Sequence, residues 1–69
     1  MTYYKTAKSN NETRTWEKCN ATTEASAKRE ATRDYEGRVA GGVVCIGVEE
    51  SGFSIRTIAE KRNGKWVNL

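Results

Sequence analysis

The sequence predicts an α+β fold: a single antiparallel sheet of about five strands with one helix packed on one face, in the order ββαβββ. Short stretches rich in β-branched and aromatic residues alternate with turn signals, which is typical of strands. One stretch alone, residues 22–37, has the spacing of an amphipathic helix. A chain of 69 residues has a thin core. We therefore expect one domain, 1–69, in which the helix covers the sheet.

Two strands are predicted before the helix. The first spans about Thr2 to Lys8, where two tyrosines and a threonine favour strand. The sequence "SNNE" then predicts a turn, because asparagine tolerates positive φ. The second strand spans about Thr13 to Ala21, and its side chains alternate between the two faces of the sheet. One face carries Thr15, Glu17, Cys19 and Ala21, and the other carries Trp16, Lys18 and Asn20.

The helix is predicted in the stretch "TTEASAKREATRDYEG". Thr22 or Thr23 can cap its first N–H groups, and Gly37 can take the left-handed conformation that ends a helix. A narrow stripe spaced by four residues should face the core, and the opposite side should be a solvated face with local ion pairs. The stripe is Ala27, Ala31 and Tyr35; the solvated side carries Lys28, Arg29, Glu30, Arg33 and Asp34.

Three strands are predicted after the helix. "GGVVCIGVEE" is the most apolar run and predicts a central strand. "FSIRTIAEK" predicts the next strand, after a turn at Ser51-Gly52. Asn63-Gly64 predicts a type I′ hairpin into a last strand that ends the chain. In the central strand, one predicted face carries Val44, Ile46 and Val48, and the other carries Val43 and Cys45. In the next strand, Phe53, Ile55, Thr57 and Ala59 are predicted to share one face. The second face of the sheet would stay largely open to solvent or to a partner.

The groups that catalysis needs do not converge in this sequence. Histidine, the commonest general base, is missing. Glu49 and Glu50 are neighbours on a strand, so their carboxylates point to opposite faces. The pair Gly41-Gly42 precedes a strand, whereas a phosphate-binding loop precedes a helix. We therefore expect neither an enzyme nor a cofactor.

The two cysteines, Cys19 and Cys45, are expected to be small buried residues in a reducing cytosol. A disulfide between them would require that their strands be neighbours. Two thiols without a histidine fall short of the usual four zinc ligands, so we expect no metal site. No apolar run reaches the roughly 18 residues of a membrane span, and "MTYYKTAKSN" lacks the core of a signal peptide. These features predict a cytoplasmic protein with no membrane partner.

Basic and aromatic residues are the candidates for a binding surface. The net charge is only +3, and a dedicated DNA binder concentrates more charge on one face. About half of the set Tyr3, Tyr4, Trp16 and Trp66 should fill the core, and the exposed remainder would mark an interaction site. The closing hairpin has two interpretations: an edge kept soluble by lysines, or a contact with phosphates or an acidic protein. Its basic residues are Arg56, Lys61, Arg62 and Lys65.

Two segments carry a resemblance to a known family. The helix "ATTEASAKREAT" and the ending "SGFSIRTIAEKRNGKWVNL" resemble small phage-encoded anti-CRISPR proteins, the type I-F inhibitors conventionally numbered nine. That family is similar in length and in order: a strand hairpin, an alanine-rich "AKR" helix, and antiparallel strands that end in a Gly-Lys turn followed by Trp-Val. The matching residues are Ala27-Lys28-Arg29, Ala31, Gly52, Ile55, Gly64-Lys65 and Trp66-Val67.

The resemblance implies a stoichiometric inhibitor that acts in the cytoplasm of an infected bacterial host. It would bind the backbone subunit of a type I CRISPR-Cas surveillance complex, which contains guide RNA, and block hybridisation of target DNA. Some members also promote non-specific DNA contact. By motif match, Lys28, Arg29, Lys61 and Lys65 would contact the partner, and Trp66 would anchor the fold. Glu30 stands where the relative is apolar, so the hairpin is the stronger candidate.

Two hypotheses follow from the residues and the resemblance together. The first is the inhibitor just described. The second is a small nucleic-acid-binding protein in which Trp16 or the tyrosines stack on bases and basic side chains contact phosphates. A homodimer through the open sheet face or the last strand is compatible with both. The predicted partner-binding residues are Tyr4, Trp16, Lys28, Arg29, Arg56, Lys61, Arg62 and Lys65.

Overall fold

One antiparallel sheet carries one helix on one face, which confirms the predicted α+β fold. The computed structural model describes residues 1–9, 12–13, 15–38, 42–52 and 54–69, and residues 12 and 13 through their backbone alone. The strands are β1 (Tyr3–Ser9), β2 (Glu12–Thr13), β3 (Glu17–Lys18), β4 (Val43–Glu50), β5 (Ser54–Arg62) and β6 (Lys65–Asn68). The helix α1 spans Glu24–Tyr35. No helix among the described residues is long and apolar enough to span a membrane.

The sheet has five positions across its width. β2 and β3 both pair with β1 at one edge, and β4, β5 and β6 follow in that order. The predicted second strand is therefore two short pieces. Thr15 and Trp16, which lie between the two pieces, belong to no strand, so this edge is not one continuous strand.

The helix begins and ends where the sequence predicts. The Thr23 hydroxyl oxygen accepts a hydrogen bond from the Ser26 N–H at 3.3 Å, as an N-cap does. At the other end, the Glu36 N–H donates to the Thr32 carbonyl at 3.0 Å, and Gly37 follows with φ of 76°. Glycine takes this left-handed conformation without steric cost. These caps fix the length of α1 and so the extent of its two flanks.

The core lies between α1 and one face of the sheet. Its buried side chains come from β1, the 19–21 segment, α1, β4 and β5: Tyr3, Cys19, Ala27, Ala31, Val44, Ile46, Val48 and Ala59. The alanine stripe lets the helix approach the sheet closely, and Tyr35 packs against the same cluster at its margin. The predicted core stripe of the helix and the predicted inward face of the central strand are confirmed.

Both cysteines are buried thiols, as expected. Cys19, which follows β3, belongs to the core under the helix, whereas Cys45 lies on the helix-free face of β4. The strand β1 lies between β3 and β4. The two cysteines are free and cannot reach each other. Burial raises the pKa of each thiol to about 11, which makes both poor nucleophiles at neutral pH.

The predicted face of β5 is wrong for part of the strand, because the strand contains a bulge. Ile46 pairs with Ala59, but Gly47 pairs with Thr57, so Ile58 is an extra residue on β5. Ala59 therefore faces the helix, while Ile55 and Thr57 face away from it. Phe53, grouped with them in the prediction, lies outside the described residues.

The helix-free face of the sheet is not open at its centre, contrary to expectation. Thr6 and Cys45, which pair across β1 and β4 on this face, are each 1% exposed. A Cβ built on Gly47 would lie 2.8 Å from Ile55 Cγ2 and 3.0 Å from Trp16 Cη2. The absence of a side chain at Gly47 thus lets Trp16 and Ile55 close over the middle of the face.

The last two strands form the predicted tight hairpin. Arg62 pairs with Lys65, and the two turn residues have positive φ, 53° at Asn63 and 78° at Gly64. These values are typical of a type I′ turn. The hairpin sets the register that places Lys61 opposite Trp66, on the face that carries the helix.

Candidate binding groove

A groove lies between α1 and the closing hairpin, beside the core. The helix packs mainly on β1 and β4, so the same face of β5 and β6 is less fully covered next to it. The groove encloses about 490 Å³, a volume typical of binding pockets. Its lining residues are Ala25, Lys28, Arg29, Thr32 and Arg33 from the helix, and Lys61 and Trp66 from the hairpin.

Helical and strand periodicity together build this groove. The lining positions on α1 recur at intervals of three and four residues, so they form one stripe along the helix. That stripe lies beside the core stripe that contains Ala27 and Ala31. On the hairpin, Lys61 and Trp66 are cross-strand partners, so their side chains project from the same face. One wall is therefore helical and basic, and the floor is a strand pair with an indole ring.

Lys28 and Trp66 join the two sides of the groove. The Lys28 Nζ lies 5.8 Å from the centroid of the Trp66 ring, within the range of a cation–π contact. The same ammonium group donates to Asn68 Oδ1 at 3.2 Å and forms an ion pair with Glu24 at 3.1 Å. Lys28 thus holds the hairpin edge against the helix as well as lining the groove.

The cations of the groove differ in how fully they are paired. Lys61 Nζ lies 2.9 Å from Glu36 Oε2, and Arg33 Nε lies 2.9 Å from Asp34 Oδ1. Arg29 donates to the Ser26 hydroxyl at 3.1 Å, and it contacts no carboxylate among the side chains that the structure describes. The guanidinium groups are also the more exposed of these cations, since Arg29 is exposed and the Arg33 side chain is 70% exposed. Arg29 and Arg33 are therefore the cations most available to a partner.

Three of the eight predicted site residues come together here: Lys28, Arg29 and Lys61. The other five do not line the groove. Arg56 pairs with Glu50 at 2.8 Å, Arg62 pairs with Glu60 at 2.7 Å, and Lys65 lies exposed beside the hairpin turn. Tyr4 and Trp16 lie on the helix-free face, where Tyr4 is opposite Gly47 and Trp16 packs on it. The predicted surface is therefore divided between the two faces of the sheet.

Four lining residues of the groove are not among the predicted site residues: Ala25, Thr32, Arg33 and Trp66. The resemblance implies that Trp66 anchors the fold, and the composition places it among the aromatic residues that either fill the core or mark an interaction site; it is half-buried, packs against the core and also lines the groove. Arg33 was assigned to a solvated face. Its spacing of four residues from Arg29 places both guanidinium groups on one wall. That spacing is the signal that could have identified it.

A second charged cluster lies under the helix, on the opposite side from the groove. Lys5 of β1 is buried, and its Nζ lies 2.6 Å from Glu30 Oε2 and also donates to Asp34. The Glu30 side chain is 8% exposed, so its predicted place on the solvated face is wrong. Its carboxylate also accepts the N–H groups of Asn20 and Ala21 at 3.0 and 2.9 Å. Lys5 and these two backbone groups draw Glu30 inward.

The members of this cluster stabilise one another's charged forms. Burial alone would raise the pKa of Glu30, but hydrogen bonds from Lys5 and from two backbone N–H groups outweigh it and lower the pKa. Hydrogen bonds from Arg33 and Lys5 lower the pKa of Asp34 to about 2. Burial likewise opposes the charge of Lys5, yet the two carboxylates raise its pKa. The cluster is internally satisfied, which is typical of a structural network.

Tyr35 and Glu17 complete the margin of the cluster. The Tyr35 hydroxyl donates to Glu17 Oε1 at 2.8 Å, and burial together with this bond raises the pKa of Tyr35 to about 12. No group of three or more His, Cys, Asp or Glu side chains within the described part of the chain could hold a metal ion.

Comparison with known proteins adds no relative. No family model matches the chain, and neither a curated protein nor a solved structure matches it. The groove is therefore interpreted from its own geometry and chemistry.

Proposed function

We propose that this protein is a non-catalytic inhibitor that binds the backbone subunit of a type I RNA-guided surveillance complex and blocks hybridisation of target DNA. The observation that carries the proposal is the meeting of two segments. The helix and the closing hairpin, which carry the resemblance to anti-CRISPR proteins, lie side by side and form the walls and floor of one groove. A surface shared by the two similar segments is the natural place for the function that the resemblance implies.

The chemistry of the groove suits a protein partner. Trp66 offers a half-buried ring, and Arg29 and Arg33 offer exposed guanidinium groups beside it. Tryptophan and arginine are the residues most enriched where a few side chains supply most of the binding free energy. Arginine also pairs with carboxylates in a bidentate geometry that lysine cannot match. The groove thus has the composition of an interface centre on a very small domain.

Inhibition of this kind requires occupancy and no bond-making step. A domain bound where the target strand must pair with the guide RNA excludes that strand by volume. The groove would hold the backbone subunit, and the remainder of the domain would obstruct the channel. The buried pair Lys5 and Glu30, with the partly buried Asp34, serves the fold in this account, since the ammonium group and the two carboxylates neutralise one another.

A reconstituted type I-F surveillance complex tests the proposal. We expect the protein to co-elute with the complex in size-exclusion chromatography and to prevent binding of target DNA. Arg29→Glu should weaken both effects at least about tenfold, since it places a like charge opposite the partner's carboxylates. The matched control is Lys18→Glu, an equal charge reversal at an exposed site on β3. If the wild-type protein does not co-elute with the complex and does not reduce its binding of target DNA, the proposal is wrong.

A second candidate function is binding of single-stranded nucleic acid. Trp66 could stack on a base while the basic side chains around it contact phosphates. Such binding should weaken steeply with salt: the logarithm of the binding constant should fall with the logarithm of salt concentration, with a slope near −0.7 for each neutralised phosphate. The nearby carboxylates Glu24, Asp34 and Glu36 oppose it, because each is paired with a cation of the groove. Fluorescence titration with oligothymidylate at low salt decides between the two candidates.

A further inference from the structure

The helix covers one side of its sheet face more fully than the other. A helix is about 10 Å wide and neighbouring strands are about 4.8 Å apart, so one helix covers about two strands. α1 lies mainly on β1 and β4, while β5 and β6 continue the sheet beyond it. The groove is the space above these two strands, alongside the helix. A further helix placed beside α1 would lie over these two strands.

We infer that the groove is a docking site for an acidic amphipathic helix of a protein partner, which would lie beside α1 on β5 and β6. This inference deepens the proposed function and rests on it for the identity of the partner. The partner helix would supply the second helix of the layer that α1 begins. Amphipathic helices commonly bind in this way, with an apolar stripe placed in a groove.

The two exposed arginines set the charge pattern of the partner. Arg29 and Arg33 lie one helical turn apart along the wall of the groove, about 6 Å from each other along the axis. Acidic residues four positions apart on a neighbouring helix have the same spacing. Arg29 has no carboxylate partner among the described side chains, and Arg33 pairs with Asp34 while its own side chain stays 70% exposed. A pair of carboxylates at this spacing would complement both.

The floor of the groove sets the apolar part of the partner. Trp66 lines it and is half-buried, the Lys28 ammonium group lies 5.8 Å from the centroid of its ring, and the Lys61 ammonium group pairs with Glu36. An apolar side chain on the next face of the partner helix would rest against the part of the indole ring that stays exposed. Large aliphatic or aromatic residues at every third or fourth position would meet this floor.

The charge arrangement favours a helix over a nucleic acid. Four cations line the groove, but three acidic residues pair with three of them: Glu24, Asp34 and Glu36. A phosphodiester chain carries charge at every nucleotide and would approach these carboxylates as well as the arginines. An amphipathic helix presents carboxylates only along one stripe, so it can meet Arg29 and Arg33 and avoid Glu24 and Glu36, which pair with the two lysines. A partner that instead paired as a strand with β6 would bind at the sheet edge and leave the groove empty.

The test uses the full chain and three probes. The first probe is a helical peptide of about five turns (roughly 18 residues), with glutamates four positions apart beside a leucine stripe. The second has the same composition with the stripes scrambled around the helix. The third is oligothymidylate of equal charge. Binding is followed by amide and indole NMR signals of isotope-labelled protein, in which Trp66 is assigned with the Trp66→Phe variant.

We expect the first peptide to shift the signals of Trp66, Arg29 and Ala25, and the scrambled peptide to bind at least about tenfold more weakly. The double variant Arg29→Glu/Arg33→Glu should lose about tenfold in affinity for the first peptide and regain it with a peptide that carries lysines in place of the glutamates. The control Lys18→Glu/Arg38→Glu makes the same change in net charge at two exposed sites outside the groove and should bind as the wild type does.

Three outcomes would overturn the inference: a flat titration with the first peptide up to about 1 mM, equal binding of the scrambled peptide, or tighter binding of oligothymidylate in the groove. An unchanged amide spectrum confirms that the double variant is folded. The surveillance complex is absent from this experiment, so its result is separate from that of the proposed function. If the peptide binds and the complex does not, the docking site stands and only the identity of the partner is wrong.

Discussion

The two flanks of the single helix carry charges in opposite situations. On the flank facing β1, Glu30 and Asp34 close around the Lys5 ammonium group, and the Glu30 side chain is 8% exposed. On the flank facing the hairpin, Arg29 and Arg33 point into a groove, and the Arg33 side chain is 70% exposed. Both flanks carry charged residues in the sequence, so composition alone does not distinguish them. Burial and pairing distinguish a network that holds the fold from a surface available to a partner.

The difference follows from the energetics of ions in proteins. A charge removed from water must be paired and fully hydrogen-bonded, or it destabilises the fold by several kcal/mol. The Glu30 carboxylate meets that requirement with one ammonium group and two backbone N–H groups. An exposed arginine has no such requirement, because water solvates it in the absence of a partner. Selection for binding can therefore act on the groove flank with little effect on folding.

The largest expected effect comes from removing the cation of the buried cluster. Lys5→Met keeps the length of the side chain but leaves the buried Glu30 carboxylate without a cation, beside the like charge of the partly buried Asp34. We expect a loss of about 3–5 kcal/mol in the free energy of unfolding, the usual cost of breaking a buried ion pair from one side. Urea denaturation followed by circular dichroism measures it.

Lys18→Met is the matched control for this prediction. Lys18 also lies near β1, on the edge piece β3, but it is exposed. Substitution there should change the free energy of unfolding by less than about 0.5 kcal/mol. Equal effects of the two variants would remove the distinction between the two flanks of the helix.

Acid should weaken the buried flank without a mutation. The folded-state pKa values of Glu30 and Asp34 lie below their unfolded values of about 4.3 and 3.9. The contribution of these groups is therefore fully present above those unfolded values and is lost as pH falls through the lower folded ones. We expect the free energy of unfolding to be level from pH 7 to about 5 and to fall towards about 2.

The variant Glu30→Gln sharpens this prediction, since an amide does not titrate. It should be less stable than the wild type at pH 7 and should show a shallower decline in acid, because one of the two linked carboxylates is gone. Parallel acid curves for the two proteins would show that Glu30 is not linked to folding. Urea denaturation at each pH provides the measurement.

The sequence predicts those parts of this fold that depend on neighbouring residues. The helix is signalled by its caps and its alanine stripe, and the hairpin by Asn63-Gly64. The bulge at Ile58 and the interrupted edge of β1 are not signalled, since both depend on how strands pair. The predicted place of Glu30 on the solvated face is wrong because it too depends on contacts between distant segments. Its partner Lys5 is 25 residues away, and only the sheet brings it beneath the helix.

The candidate site could be predicted only in part. Lys28, Arg29 and Lys61 were identified because basic residues cluster in the two segments that carry the resemblance. Tyr4 and Trp16 were grouped with them, yet they lie across the sheet, because strand register decides which face a side chain takes. Periodicity within one element is readable from sequence, whereas the relation between two elements is set by packing.

A smaller effect is expected at the residue that connects the groove to the fold. Lys28→Ala removes the cation–π contact with Trp66 and the hydrogen bond to Asn68. We expect a loss of about 0.5–1 kcal/mol, because the contact is only partly desolvated. Lys28→Arg should restore most of it, since arginine makes the same contacts with an aromatic ring. Urea denaturation compares the three proteins, and a variant as unstable as Lys5→Met would place Lys28 with the buried flank.

The smallest expected effect is the one that defines the groove flank. Arg29→Ala and Arg33→Ala should each change the free energy of unfolding by less than about 0.5 kcal/mol, since exposed ion pairs contribute little. The helix should tolerate both, because alanine has the highest helix propensity and offsets a lost surface contact. Each variant should nevertheless bind the surveillance complex, or the acidic peptide, more weakly than the wild type does. Thermal unfolding and a binding titration on the same samples separate the two properties. A loss of stability that accounts for the loss of binding would mean that these arginines hold the fold together, as Lys5 does.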